Sequence, residues 1–326
     1  MKGNHLKNGR IVHITLKKCG SQWVRDVLCA AEISQCSGIS YSGITFDYPT
    51  KGQFILPENT FSGPIFTMSR IEWESWKCVG DKAIVVLRDP RDQLISFLYS
   101  MLYSHGPTVF VNYVRDKLSA MACNSERITW LIGDVASFIR FYRTWEIDVK
   151  DDTYVVRYET LVQDQHAEFN KLVDWLGWKL PPDVLETVIA RLSFKTRSGR
   201  NPGETDILSH YRKGLPGDWR NHFTREHGKL WENLYPGFLT SIGYENNDEW
   251  WLCLPESNVE TDPNLKVNGD NTQQTNNQIE LLTRRNLKLE KELVGKELEI
   301  RNLAQACRER LELIKKQDCE LKILRT

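Results

Sequence analysis

The chain has 326 residues, 43 basic side chains against 43 acidic ones and 40% hydrophobic content, enough for one large domain or two with an ample core. Balanced charge argues against a general nucleic-acid binder, whose affinity rests on excess cations. The N-terminal MKGNHLKNGR has no apolar signal region, no apolar run is long enough to span a membrane, and the eight cysteines form neither a C-x-x-C pair nor zinc-finger spacing. These features predict a cytoplasmic protein with reduced thiols.

Residues 10–16 (RIVHITL) form a β-branched run that predicts a buried strand, followed by a turn over 17–21. Residues 22–33 carry apolar side chains at Trp23, Val24, Val27, Leu28 and Ala31, the spacing of a helix. The stretch 34–63 is rich in Gly, Ser, Thr and Pro and predicts mostly loop. Strands are expected at 64–68, 83–87 (AIVVL) and 154–157 (YVVR), with helices over 91–103, 109–121 and 128–145 between them. Such alternation predicts an α/β fold with a parallel sheet flanked by helices. Helices resume at 166–176 and at 182–192, the second led by Pro-Pro. Residues 196–210 predict a loop, and 225–235 the last helix of a domain spanning 1–254.

The composition then changes. Residues 255–278 are dominated by Asn, Thr, Asp, Gln and Pro and predict a flexible linker. From Ile279 a heptad emerges: Ile279, Asn286, Leu293, Ile300, Cys307, Ile314 and Leu321. A companion series at Leu282, Leu289, Leu303 and Leu324 is interrupted by the polar residues Lys296, Arg310 and Gln317. This pattern predicts a coiled-coil helix over 279–326. A lone helix in water is marginal, so self-association is expected.

Three segments carry chemistry. Arg212-Lys213-Gly214-Leu215-Pro216-Gly217-Asp218-Trp219 places two cations before a glycine pair, on a loop whose backbone can close on an anion, with Trp219 as anchor. Residues 15–23 (TLKKCGSQW) lie between a strand and a helix, where free N–H groups and a partial positive charge favour phosphate. Residues 85–96 (VVLRDPRDQLIS) put Arg88 at the carboxyl edge of the sheet, where open α/β sheets bind ligands, and Ser96 in the helix that follows. An arginine there can grip a phosphate with two parallel N–H bonds.

Together and in this order, the segments resemble the signatures of the cytosolic-type sulfotransferases, which use 3′-phosphoadenosine 5′-phosphosulfate (PAPS) and share a P-loop NTPase-like fold. Residues 212–219 are similar to the family's RKGxxGDW, and Asn221-His222-Phe223-Thr224 continues the likeness. Residues 15–23 resemble the 5′-phosphosulfate loop TYPKSGTTW. Lys18 falls on its lysine, Gly20 on its glycine, Ser21 and Gln22 on its threonines and Trp23 on its adenine-packing aromatic, while Cys19 replaces its serine. Arg88 and Ser96 keep the spacing of the 3′-phosphate motif. Tyr158-Glu159 and Ser193-Phe194-Lys195 resemble steps that line the nucleotide pocket. The likeness covers roughly residues 8–245.

The resemblance implies in-line transfer of a sulfuryl group from PAPS to a hydroxyl or amine of a small-molecule or glycan acceptor, without a metal. It implies that Lys18 stabilises the leaving phosphate, that Ser96 binds the 3′-phosphate and holds Lys18 off until substrate arrives, and that Arg88, Arg212, Lys213 and the Gly214 backbone clamp the 3′-phosphate. The family's basic histidine is missing: the corresponding stretch reads Phe66-Thr67-Met68. Asp47 is the first candidate for the base, with Glu58 and His105 behind it. Two other readings stay open at this stage, a P-loop-like kinase and a silent scaffold built around the C-terminal helix.

Overall fold

Five parallel strands form one sheet in the order β2-β3-β1-β4-β5. They are β1 (Ile11–Thr15), β2 (Ser40–Tyr41), β3 (Thr60–Phe66), β4 (Lys82–Leu87) and β5 (Thr153–Arg157). The computed structural model describes residues 9–45, 56–145 and 151–256, without the side chains of Ala136 and Ser137. The chain divides into two units. One joins Met1–Arg70 with Lys77–Asn268 and contains the sheet. The other joins Ile71–Trp76 with Gly269–Thr326, and its described part is helical.

Every residue of β1 is buried, as are Ala83 to Leu87 of β4. That is why these strands read as mostly apolar runs, with only His13 and Thr15 polar among the buried residues of β1 and β4: a parallel sheet is covered on both faces. Ile11 pairs with Phe61 on one side and Lys82 on the other, which makes β1 the central strand. Connections from β1 run to β2 and β3 on one flank and to β4 and β5 on the other. The carboxyl ends of β1 and β4 therefore border the crevice where such sheets take their ligands.

The helices in chain order are α1 (Ser21–Leu28), α2 (Ala31–Ser37), α3 (Arg70–Trp76), α4 (Pro90–Tyr99), α5 (Val109–Ser119), α6 (Asn124–Asp134), α7 (Ala136–Trp145), α8 (Tyr158–Gln163), α9 (Gln165–Leu176), α10 (Pro182–Arg191), α11 (Phe194–Ser198), α12 (Arg225–Leu234) and α13 (Phe238–Ser241). The parallel sheet with flanking helices is the architecture expected from the sequence.

The local differences have physical causes. The helix expected over 22–33 breaks, because Ala30 is extended (φ −59°, ψ 143°) and α2 starts afresh. The break lets α2 bury Ile33 and pair Glu32 with Arg191 of α10 at 2.5 Å. β3 begins at Thr60, inside the stretch read as loop, because its Gly63-Pro64 step hides its strand character. The pairing of β1 with β3 is irregular between Val12 and Ile14, opposite that step. A Cβ at Gly63 would lie 2.5 Å from the His13 carbonyl oxygen, so only glycine permits the approach. The helix expected over 91–103 is α-helical only to Tyr99, and Ser100–Ser104 form a π turn. The helix expected over 128–145 is two, α6 and α7, and a short helix, α11, occupies the start of the loop read at 196–210.

The described residues carry contacts past 254. The Arg225 N–H donates to the Pro255 carbonyl at 2.8 Å, and Arg225 pairs with Glu256 at 2.8 Å. The remainder of the linker and the coiled-coil helix read over 279–326 lie outside the described residues.

Candidate functional site

The loop between β1 and α1 is shaped by two left-handed residues. Gly20 caps α1 at φ 81°, and a Cβ there would meet the Tyr158 ring at 2.8 Å. Lys18 has φ 72°, a conformation few non-glycine residues adopt. Such backbone persists only where its surroundings hold it, and it gathers at functional sites. Here the holders are Arg88, whose Nη1 donates to the Lys18 carbonyl at 3.1 Å, and Gln93, whose Nε2 donates to the Lys17 carbonyl at 2.8 Å. The Lys18 ammonium donates to the Ser100 hydroxyl at 3.0 Å. Burial, then Arg88 and Arg212, push its pKa down to about 8.

Arg88 follows β4 and is 8% exposed. Its guanidinium lies 4.4 Å from the Tyr158 ring centre, a cation–π contact. The turn after it is tied by charge. Asp89 caps α4 through the Arg91 N–H at 2.9 Å and holds the Arg91 side chain. The Asp89 N–H donates to Glu159 at 2.8 Å. Arg91 is 1% exposed, pairs with Glu245 at 2.5 Å and lies 3.7 Å from the Trp219 ring centre.

Asp92 then fastens the distant loop. Its carboxylate accepts from the Gly217 N–H at 2.5 Å and the Trp219 N–H at 2.9 Å. This join brings Arg212 to the same place as Arg88 and Lys18. Within the loop, Asp218 accepts from Arg212 at 2.5 Å, from Lys213, and from Asn221 at 2.9 Å, with His222 at 3.2 Å. Burial works against the Asp218 charge, yet the His222 and Lys213 hydrogen bonds and the Arg212 guanidinium hold its carboxyl well below the usual range. The Arg212 guanidinium also lies 4.6 Å from the Tyr99 ring centre.

Two guanidinium donors in this cluster are left over. The buried Nε of Arg88 and of Arg212 each lack a hydrogen-bond partner. Buried polar groups are nearly always satisfied, so orphans beside converging cations mark a place for an anion.

The remaining sequence candidates take different positions. Gly214 rests on Phe194, with a hypothetical Cβ 2.5 Å from that ring, so Phe194 and the Arg212–Gly214 step are joined. Ser193 spends its hydroxyl capping α11, accepting from the Thr196 N–H at 3.3 Å. Ser21 is buried and Gln22 exposed at the start of α1. Trp23 stands edge-on to Phe169 at 6.1 Å, and its indole N–H is buried without a partner. Cys19 turns inward: its thiol is 3.9 Å from the Tyr142 hydroxyl, and burial pushes its pKa up to about 12, so only its backbone faces the loop chemistry.

Two expectations are corrected. The hydroxyl on Lys18 belongs to Ser100, one helical turn beyond Ser96. Glu58 is exposed at the amino end of β3, on the opposite edge of the parallel sheet from Lys18 and Arg88. Asp47 lies outside the described residues. Met68, at the place of the missing histidine, is buried, and its carbonyl accepts from the Trp145 indole N–H at 2.8 Å.

Ser100, Asp92 and Asp218 escaped the sequence reading as site residues. Asp92 and Asp218 were visible as acids inside the two cationic motifs. Ser100 gave no signal, because its role depends on the π turn. Among the described residues no cluster of His, Cys, Asp and Glu could hold a metal ion, and no helix is long and apolar enough to cross a membrane.

Comparison with known proteins agrees with this geometry. The sulfotransferase domain model matches residues 74–236, half of the chain, a stretch that holds Arg88, Tyr158, Phe194 and Arg212 and begins after the Lys18 loop. Among curated proteins, the 3-alpha-hydroxysteroid sulfotransferase of Cavia porcellus is 23% identical over 257 residues, covering 71% of this chain and 83% of that protein. Sulfotransferase 2A2 of Mus musculus is 25% identical over 264 residues, covering 71% and 84%. Mouse sulfotransferase SULT7A1, solved in complex with PAP, superposes with a TM-score of 0.51 at 16% identity, covering 71% of this chain and 84% of that one, and so shares the fold. With its strand order, cation cluster and domain match in accord, the chain belongs to the sulfotransferase family.

Proposed function

We propose that this chain transfers a sulfuryl group from PAPS to a hydroxyl or amine of an acceptor by in-line displacement. The observation that carries the reading is the convergence of Lys18, Arg88 and Arg212, two of them with a buried unpartnered N–H. A nucleotide bearing both a 5′- and a 3′-phosphate group supplies negative charge at both ends of that cluster. Lys18, on the β1 side, faces the 5′ end and stabilises the charge that grows on the leaving phosphate oxygen. Ser100 holds its ammonium aside in the free chain. Arg88, Arg212, Lys213 and the Gly214 N–H take the 3′-phosphate, with Asp218 fixing the two loop cations. Ser96 lies one turn before Ser100 and adds a hydroxyl to that end. Ser21, Gln22 and the backbone of Cys19 and Gly20 cradle the 5′ side. Trp23, Tyr158 and Phe194, with Ser193 capping the helix beneath, offer aromatic surface to adenine.

The steroid sulfotransferases among the relatives favour a small-molecule acceptor over a glycan. The protein works in the cytoplasm, and its C-terminal heptads hold two copies together. Truncation after Glu256, rather than at 254, keeps the Arg225 contacts; light scattering should then show a smaller assembly with sulfuryl transfer retained. An unchanged assembly state would remove the coiled coil from the account.

Calorimetry with adenosine 3′,5′-bisphosphate (PAP), AMP and ATP-Mg tests the nucleotide, and transfer from labelled PAPS over an acceptor panel tests the reaction. The reading expects PAP to bind tightest. Tighter binding of ATP-Mg than of PAP would sink it.

A further inference from the structure

Two loops meet beside Lys18. One is the π turn Ser100–Ser104, whose following residue, His105, donates its N–H to the Ser100 carbonyl at 2.9 Å. Ser100 is the residue whose hydroxyl holds Lys18. Arg115 of α5 fixes the turn by donating to the Met101 and His105 carbonyls, each at 2.8 Å. The other is the stretch 206–211, immediately before the phosphate cations. The Asp206 N–H donates to the Arg212 carbonyl at 2.9 Å, and its carboxylate accepts from the Leu208 N–H at 3.0 Å. Tyr211 packs edge-on against Phe194 at 6.4 Å and accepts from Arg197 at 2.8 Å.

Between these loops the imidazoles of His105 and His210 face each other, with centroids 6.2 Å apart and planes at 72°. His210 also stands edge-on to Tyr211 at 5.8 Å. Among the described residues no hydrogen bond engages the ring nitrogens of His210. The residue is open to solvent, as an incoming acceptor requires. Partial burial of its ring, then Lys18 and His105, nevertheless bring its pKa down to about 4. The imidazole is therefore neutral near pH 7, with a lone pair available. Charged groups nearby are engaged elsewhere: Arg115 on backbone carbonyls, Arg200 on the Glu204, Tyr211 and Arg212 carbonyls, Arg212 on Asp218 and Arg197 on Tyr211 and Asp26. A bound anion would offset Lys18 and make His210 more basic when the nucleotide is present.

We propose that His210 is the general base of the transfer, accepting the proton of the acceptor hydroxyl as its oxygen attacks the sulfur of PAPS. The proposal rests on the sulfotransferase reading above. The bond from the acceptor oxygen to sulfur forms, and the bond from sulfur to the 5′-phosphate oxygen breaks. Its electron pair stays on that phosphate oxygen beside Lys18, and the proton moves to His210 and then to water. His105 is the positioning residue. The base thus comes from the loop that leads into the phosphate clamp, not from the end of β3, where Met68 has nothing to accept a proton.

Because water can take the acceptor's place, PAPS cleavage by the full chain is the probe. General-base catalysis contributes about 10²–10⁴-fold, so His210→Gln should slow cleavage by at least about a hundredfold while PAP affinity, read by calorimetry, stays within about threefold. The low-pH limb of the rate profile should vanish with it. Added imidazole should restore part of the rate to His210→Gly, which a packing role would not allow. A His210→Gln enzyme at the wild-type rate overturns the proposal. So does an Asp47→Asn or His105→Gln variant that loses cleavage while His210→Gln keeps it. In either case wild-type PAP binding leaves the sulfotransferase reading standing. A wild-type chain that neither binds PAP nor cleaves PAPS overturns both.

Discussion

The two cationic loops of the site are built in opposite ways. The loop after β1 holds Lys18 in a left-handed backbone, and among the described residues its ammonium meets only a neutral hydroxyl, Ser100. The loop at Arg212–Trp219 gives both of its cations a carboxylate, Asp218, and is itself fastened by a second, Asp92. Lys18 therefore meets a counter-charge only when a ligand brings one, and its proton is loosened to a pKa of about 8. The Arg212 side is partly neutralised in advance, two cations sharing one carboxylate, and is tied down by these bonds. A site made this way separates two tasks. On the proposed reading, the pre-paired loop would read the position of a phosphate, and Lys18 would respond to charge that appears during the reaction.

Lys18→Ala tests the second task and should have the largest effect. Losing one preorganised stabiliser of a leaving group costs roughly two to three orders of magnitude in rate. The rate should fall that far with the circular dichroism spectrum intact. Near-normal turnover would break the contrast between the loops.

Arg212→Ala and Arg88→Ala test the first task. Charged hydrogen bonds are worth about 1.5–3 kcal/mol, so PAP affinity should fall roughly ten- to a hundredfold; AMP affinity should change little for Arg212→Ala, and should fall less than PAP affinity for Arg88→Ala, which also frees the Lys18 carbonyl. Equal losses for the two nucleotides would mean that these arginines do not read the 3′ position. Asp92→Ala sharpens the same point from further away. It strands the Gly217 and Trp219 N–H groups and should cost about 1–3 kcal/mol of stability in a urea titration, with weaker PAP binding. Unchanged stability would show that the loop does not need its tether.

The difference between the loops also explains what could be read from the sequence. The sheet was legible because β1 and β4 are rich in β-branched and other apolar residues buried on both faces, and Arg88 and Arg212 stood out as cations at loop positions. What the sequence hid is tertiary. Ser96 keeps a motif spacing, but a spacing counted along α4 does not foresee that Ser100 in a π turn reaches Lys18. The Gly63-Pro64 step masked the start of β3, since its fit depends on the irregular pairing with β1. His210 drew no notice because nothing local marks it. Its meaning comes from His105, more than one hundred positions earlier in the chain, and from Lys18.

The smallest effect concerns stability, and its sign runs against intuition. Lys18 has a folded pKa lowered to about 8, first by burial and then by Arg88 and Arg212. Below that pH the side chain is charged in both the folded and the unfolded chain, and the folded state bears the penalty. As pH rises from about 8 to the unfolded lysine value of about 10.4, the folded chain sheds its proton first, so the unfolded chain binds more protons and stability climbs. Lys18→Met removes the charge and keeps the length of the side chain. It should therefore be more stable than the wild type at pH 7. One pKa unit corresponds to about 1.4 kcal/mol, and because the side chain is only half-buried, solvent screening trims the gain to about 1–2 kcal/mol. The gap should close as pH approaches about 10.4. Urea titrations of both proteins at pH 7 and near pH 10 decide it. A variant that is less stable at pH 7, or a gap that does not narrow with pH, would mean that Lys18 is comfortable in the free chain and is not held there against its own desolvation for the sake of an incoming anion.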